Sequence, residues 1–90
     1  MKKIEGVDRG NVVVYALSTC VWCNKTRRLL TELGVAHTII EVDQLDPDEQ
    51  EQVMELVRRY NAYGSFPTII IDEDEVIKGY KPDIIKERLG

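Results

Sequence analysis

Ser18-Thr19-Cys20-Val21-Trp22-Cys23-Asn24-Lys25 is the stretch from which the fold of this chain can be read. An apolar, β-branched run, Asn11 to Leu17, precedes it, and a segment with helical spacing, Val21 to Leu33, follows it. The only two cysteines among 90 residues therefore sit where a strand hands over to a helix. Two cysteines placed at random fall three apart roughly one time in fifty, and a C-x-x-C pair beside a βαβ pattern is the expected setting of a thiol–disulfide redox site.

Working outward, Val12-Val13-Val14-Tyr15-Ala16-Leu17 is apolar on both faces, as a central strand covered on both sides should be. The spacing predicts a first helix from Val21 to Leu33, with Thr19 as N-cap and Gly34 ending it. Its apolar positions are Trp22, Thr26, Leu29, Leu30 and Leu33. His37 to Val42 is a second strand, and its connection through the helix makes the pair parallel with a right-handed crossover. Asp46-Pro47-Asp48-Glu49 starts a second helix: Asp at the N-cap, Pro at the first helical position, Glu at the third. Val53, Leu56, Val57 and Tyr60 recur along one stripe of that helix, and full burial of its three aliphatic members contributes about 5–9 kcal/mol before entropy. A third strand, Pro67 to Asp72, begins at the position where proline removes no ladder donor. The tight connection Asp72-Glu73-Asp74 returns the chain as Glu75–Lys78, and Pro82 opens a third helix anchored by Ile84, Ile85 and Leu89. Residues 1–10 carry no period, although Ile4 and Val7 are able to tuck under the sheet. The order is βαβαββα, an α/β pattern that one domain over residues 1–90 accommodates.

Composition narrows the function classes. With 43% apolar and 31% charged residues the chain reads as globular. A net charge of −4 argues against a general nucleic-acid binder, whose affinity rests on clustered Lys and Arg. No apolar run approaches the roughly 20 residues that span a bilayer. Val12–Leu17 is too short for the core of a signal peptide, so the expected location is the cytoplasm. In a reducing compartment a cysteine pair is catalytic or metal-binding more often than a structural staple.

The pair carries the candidate chemistry. The thiolate is the nucleophile in disulfide exchange. Cys20 falls in the first turn of the helix, where unpartnered backbone N–H groups and the positive dipole end favour negative charge on a sulfur. Direct N–H bonds, expected from Trp22 and Cys23, add to this. Cys23, one turn further in, suits the resolving role. The competing readings are a structural disulfide, a zinc site and a shared iron–sulfur cluster. The first closes so small a loop that it removes little unfolded-state entropy. The second needs four ligands where His37 is the only histidine. The third, two chains holding a cluster through Cys20 and external thiols, remains open, as does a binding module with inert cysteines.

Tyr15 through Lys25, together with Phe66-Pro67-Thr68 and Gly79-Tyr80-Lys81-Pro82-Asp83, resembles the glutaredoxins of the thioredoxin-fold superfamily. The likeness spans about residues 11–90, with three motifs in the family's order and spacing. It implies a thioredoxin-like fold: a four-stranded mixed sheet, ordered second–first–third–fourth strand, flanked by three helices. It also implies a cis bond before Pro67, with Phe66 offering its backbone to a bound thiol. By the same resemblance Cys20 and Cys23 are catalytic, and Trp22, Phe66, Pro67, Gly79, Tyr80 and Asp83 bind substrate. The implied protein is a monomeric dithiol oxidoreductase acting on protein or small-molecule disulfides, with no required cofactor. Several positions depart from the family pattern. Val21-Trp22 replaces Pro-Tyr, Leu17 stands where a glutathione-binding lysine is frequent, and Gly79-Tyr80 replaces a Gly-Gly pair. The run from Gly79 to Asp83 is more similar to the glutaredoxin-like electron donors of ribonucleotide reductase, which thioredoxin reductase reduces. Glutathione and thioredoxin reductase are therefore both implied electron donors, and ribonucleotide reductase an implied recipient.

Other side chains have plainer readings. Trp22 is expected to be an exposed platform, and Tyr15 to be core. Lys25, Arg27 and Arg28 lie on a solvated helix face that is also placed to steer an anionic partner. His37 reads as an edge-strand residue. Asp43, Asp46, Asp48, Glu49 and Glu51 read as capping and solubility.

Overall fold

The computed structural model describes residues 1–90. Strand β1 is Lys2–Ile4, β2 is Val12–Ala16, and helix α1 is Val21–Glu32. Strand β3, His37–Glu41, runs into a 3-10 turn at Val42–Gln44, and helix α2 follows at Pro47–Tyr60. Strands β4, Thr68–Ile71, and β5, Glu75–Lys78, form a hairpin before helix α3, Pro82–Leu89. The sheet has the order β1-β3-β2-β4-β5, with β2 and β3 parallel and the other neighbours antiparallel.

The period of two along the strands sorts side chains onto two faces. Val12, Val14, Ala16, Ile39, Ile69 and Ile71 meet Leu29 and Leu30 of α1 and Ile85 and Leu89 of α3 in the main core. Their neighbours Tyr15 and Ile70 point the other way, toward Val42 and Val57 of α2. The α2 face is the looser one. Val57 is buried, but Val53, Leu56 and Tyr60 are only half-buried, so the stripe contributes less than the full-burial figure. A cavity of about 460 Å3 lies under the helix, lined by Tyr15, Leu56, Tyr60 and Ile70 among others.

Caps form largely where the sequence puts them. The Asp46 carboxylate accepts the Glu49 N–H at 3.0 Å, and Pro47 occupies the first turn. Gly34 follows α1 with φ +69, the left-handed conformation that a glycine reaches without a Cβ penalty. The first helix differs from expectation at both ends. Its N-cap is Cys20 rather than Thr19, and its last residue is Glu32, with Leu33 as C-cap.

Three further expectations need correction. The sheet has five strands, because Lys2–Ile4 pairs antiparallel with His37–Ile39. Both lysines of β1 are exposed, so backbone pairing alone holds them there and no alternation betrays the strand. The four expected strands keep their order inside the larger sheet. With β1 outside it, β3 is not an edge, and His37 is 3% exposed. Its Nδ1 lies 2.7 Å from the Val35 carbonyl. Finally, Ile84 is 47% exposed, and α3 is anchored by Ile85 and Leu89 with a bidentate Arg88–Glu75 pair tying it to β5.

The segment between β1 and β2 is seated by Val7, whose N–H donates to the Gly34 carbonyl at 2.7 Å and whose carbonyl accepts the Ala36 N–H at 2.9 Å. That approach leaves no room beside Gly6, where a Cβ would lie 2.6 Å from the Gly34 carbonyl oxygen and 2.7 Å from the Ala36 nitrogen. Both are backbone atoms and cannot swing aside. Gly6→Ala is therefore expected to destabilise the chain by about 1–3 kcal/mol, the usual range for overpacking. Urea unfolding measures it, and an unchanged midpoint would refute the close approach.

Candidate active site

Strand register brings three distant segments to one end of the sheet. Tyr15 pairs with Thr68, and Thr68 with Lys78, so the next step along each strand aligns Ala16, Pro67 and Gly79. Beyond Ala16 lies the loop that carries Cys20. The Gly79 N–H donates to the Pro67 carbonyl at 2.7 Å, continuing the ladder past the last paired residues. The Phe66–Pro67 bond is cis. Pro67 is buried, while Phe66 is half-buried and touches both core clusters.

The two thiols are free and sit in unlike surroundings. Cys20 is partly exposed, with extended backbone, and its Sγ accepts the Cys23 N–H at 3.2 Å. The cysteine thus fills the N-cap role that Ser, Thr, Asp or Asn fills elsewhere. Of the two N–H donors expected at this sulfur, Cys23 supplies one and Trp22 makes no such bond. Cys23 itself is fully buried in the main core. Burial first, and its closeness to Cys20 second, push the Cys23 thiol up to about 12, while the Leu17 backbone and, less strongly, the Arg27 guanidinium pull the other way.

Trp22 projects between them and is 54% exposed. Its ring stacks on Tyr80 with centroids 5.8 Å apart and planes 27° from parallel. The Lys25 Nζ lies 4.6 Å from the centre of the Trp22 ring, a cation–π contact. Gly79, with φ +81, makes the bend that presents Tyr80. Asp83 is exposed in the first turn of α3, and its carboxylate makes no hydrogen bond or ion pair within the chain. Arg27 is partly buried and pairs with Glu41 at 3.0 Å.

Two polar clasps hold this end and were not visible as site features in the sequence. Asp43, in the 3-10 turn, accepts the Ser18 N–H at 2.9 Å through one oxygen and the Ser18 hydroxyl through the other. Those bonds hold the Asp43 carboxyl below the usual carboxylate range. On the opposite side the buried Asn61 donates to the Ser65 hydroxyl at 3.0 Å and to Thr68 Oγ1 at 3.1 Å, and Thr68 Oγ1 donates to the Ser65 carbonyl at 2.7 Å. The loop leading to Phe66–Pro67 is therefore pinned from within. Only the short, polar makeup of Asn61–Ser65 hints at it.

Residues 12–76 match the glutaredoxin family model. Among solved structures, the glutaredoxin of Methanosarcina mazei Go1 is 50% identical, with a TM-score of 0.94 over 99% of this chain and 86% of that one. Methanosarcina acetivorans methanoredoxin is 47% identical, with a TM-score of 0.92 over 94% of this chain and 90% of that one. Among curated proteins, glutaredoxin-C1 of Oryza sativa subsp. japonica is 35% identical over 60 residues, which are 67% of this chain and 57% of that protein. The chain spans less than two thirds of the length of the first curated relatives it matches.

The unlike surroundings of the thiols make two checks. In the reduced chain, iodoacetamide followed by mass spectrometry should label Cys20 at neutral pH and Cys23 only as the pH approaches 12. Equal labelling at pH 8 would contradict the buried environment. Stability follows the same titration. The unfolded Cys23 thiol ionises near its ordinary value of about 9 and the folded one near 12, so between these the unfolded chain binds fewer protons and stability falls as pH rises. The urea midpoint of the reduced chain should therefore drop more steeply between about pH 9 and pH 12 than that of the disulfide form, which has no thiol to titrate.

Proposed function

The chain belongs to the glutaredoxin family, and from that premise we propose that it is a thiol–disulfide oxidoreductase acting through Cys20 and Cys23. One observation supports the division of labour above others: Cys20 caps the helix at the surface with a backbone N–H on its sulfur, while Cys23 lies fully buried one turn behind it. The Cys20 thiolate attacks one sulfur of a substrate disulfide, R–S–S–R′. A Cys20–S–S–R mixed disulfide forms and R′S⁻ leaves with the electron pair of the broken bond, to take up a proton. Cys23 then loses its proton and attacks Cys20 Sγ, releasing RS⁻. Two electrons have moved to the substrate, and the chain holds a Cys20–Cys23 disulfide.

Cys23 has the harder task, since its thiol is held neutral. In this reading Trp22, Phe66, Pro67, Gly79, Tyr80 and Asp83 form the substrate surface. Pro67 and Gly79 supply backbone edges, Trp22 and Tyr80 a flat aromatic wall, and Asp83 a free carboxylate for an ammonium group. The reading extends to one domain working in the cytoplasm as a monomer. Its reductant is glutathione or a thioredoxin reductase, and its recipients are protein disulfides, ribonucleotide reductase among them. No prosthetic group is required by the steps above.

Variants test the division of labour. Cys20→Ser should abolish reductase turnover, whereas Cys23→Ser should still attack and then stall as a mixed disulfide that mass spectrometry detects. Retained turnover in Cys20→Ser would overturn the assignment. Stopped-flow reduction of the oxidised chain by glutathione and by thioredoxin reductase separates the donors. The potential is an independent measure: about −200 to −230 mV is glutaredoxin-like and about −270 mV thioredoxin-like.

A further inference from the structure

Beside the Trp22–Tyr80 stack, a cleft of about 320 Å3 opens between α1 and α3. It is lined by Lys25, Arg28, Leu29 and Glu32 from α1, Lys86 from α3, and Tyr80. Three of its six residues are cations and one is a carboxylate, in a chain whose net charge is −4. The three ion pairs of the fold engage Arg27, Arg59 and Arg88, and none of them uses a cation of this cleft. Lys25 and Arg28, three apart, share one face of α1 as like charges, an arrangement that weakens a helix slightly. The acidic residues Asp46, Asp48, Glu49, Glu51 and Glu55 belong to α2 and its cap, across the sheet. Lys25 rests on the Trp22 ring and Lys86 suits the last turn of α3, but neither Lys86 nor Arg28 has an ion-pair partner, and both are exposed.

We propose that this cleft docks an acidic segment of a protein disulfide substrate. The proposal rests on the oxidoreductase reading, and it names which protein disulfides that reaction prefers. Tyr80 is shared by the cleft and the stack, and Trp22 stands between the two cysteines, so a chain whose disulfide meets Cys20 passes along the aromatic wall into the cleft. Peptide groups and apolar side chains cover the rings, and carboxylates reach Arg28 and Lys86. The cations are solvated, so each pairing is weak, and only a segment carrying several carboxylates gains much. That favours a peptide over a small anion. The acidic remainder of the chain opposes a nucleic acid, whose phosphates need a broad basic surface.

The test uses the intact chain and three disulfide peptides of one sequence, flanked by Asp/Glu, Asn/Gln or Lys. At low salt the acidic peptide should show roughly a tenfold higher kcat/KM than the neutral one, the scale of electrostatic steering. The advantage should fade as salt rises from about 0.02 M to about 0.5 M, where screening is short-ranged. Arg28→Glu with Lys86→Glu, both at exposed positions, should bring the acidic-to-neutral ratio to one or below. A ratio near one in the parent chain, or a ratio that survives the double substitution, overturns the docking. A second readout is independent of turnover: an acidic peptide with serines for cysteines should perturb the fluorescence of Trp22, the only tryptophan, and the double variant should lose that response. A parent chain that reduces the neutral peptide without charge preference sinks the docking alone. One that reduces no peptide sinks the oxidoreductase reading, and the Trp22 titration then decides the cleft by itself.

Discussion

A single hydrogen bond, from the Cys23 N–H to the Cys20 sulfur at 3.2 Å, fixes the geometry on which the rest of the site depends. It satisfies one of the orphan donors at the start of α1 and so sets where the helix begins. Once that start is set, helical periodicity does the rest. Cys23, Thr26 and Leu30 fall on one face, and all three are fully buried. Beginning the helix one residue earlier would leave that phase unchanged, but it would draw Cys20 into the first turn and take its sulfur out of the cap position. The contrast between a partly exposed sulfur and a buried one three residues away thus comes from helical phase, which puts Cys23 in the core, and from the cap position, which holds Cys20 at the helix start.

Register is the second constraint. Pairings along β2, β4 and β5 have no freedom to slip, because a one-residue shift would turn Val14, Ile69, Ile71 and Ile77 out of the main core. The same register aligns Ala16, Pro67 and Gly79. The alignment of Pro67 and Gly79 at this end of the sheet is therefore decided by isoleucines and valines a few residues away.

Much of this was legible in the sequence, for identifiable reasons. The β-branched runs at Val12–Leu17 and Pro67–Asp72 and the capping sequence at Asp46 are local signals, and each produced the element it predicted. What escaped has no local signal. Lys2–Ile4 became a strand because β3 offered a free edge, not because its residues favour one. His37 was buried by that same added strand. Thr19 looked like the better cap, but only the backbone path shows that the Cys20 sulfur receives the bond. Ile84 seemed an anchor by composition, yet helical phase puts Ile85 and Leu89 inward instead. The Asp43–Ser18 and Asn61–Thr68 clasps join residues 25 and 7 positions apart, and no spacing rule links either pair.

Those clasps explain how loops can hold a site where the core runs out. Ser18 and Ser65 lie beyond the last sheet residues, where apolar packing no longer orders the chain. Removing one partner of a hydrogen bond costs most when the other is left buried and unpaired, about 1–3 kcal/mol. Asn61 and Thr68 are fully enclosed, so the loop before Phe66 cannot open without stranding both. The Ser18–Asp43 clasp is exposed and gains less from burial, but it joins the Cys20 loop to the end of β3 through two bonds on one carboxylate. The two loops are thus held with different stiffness. The Pro67 side is fixed by enclosed polar groups, whereas the Cys20 side is held at the surface, where the sulfur must stay reachable.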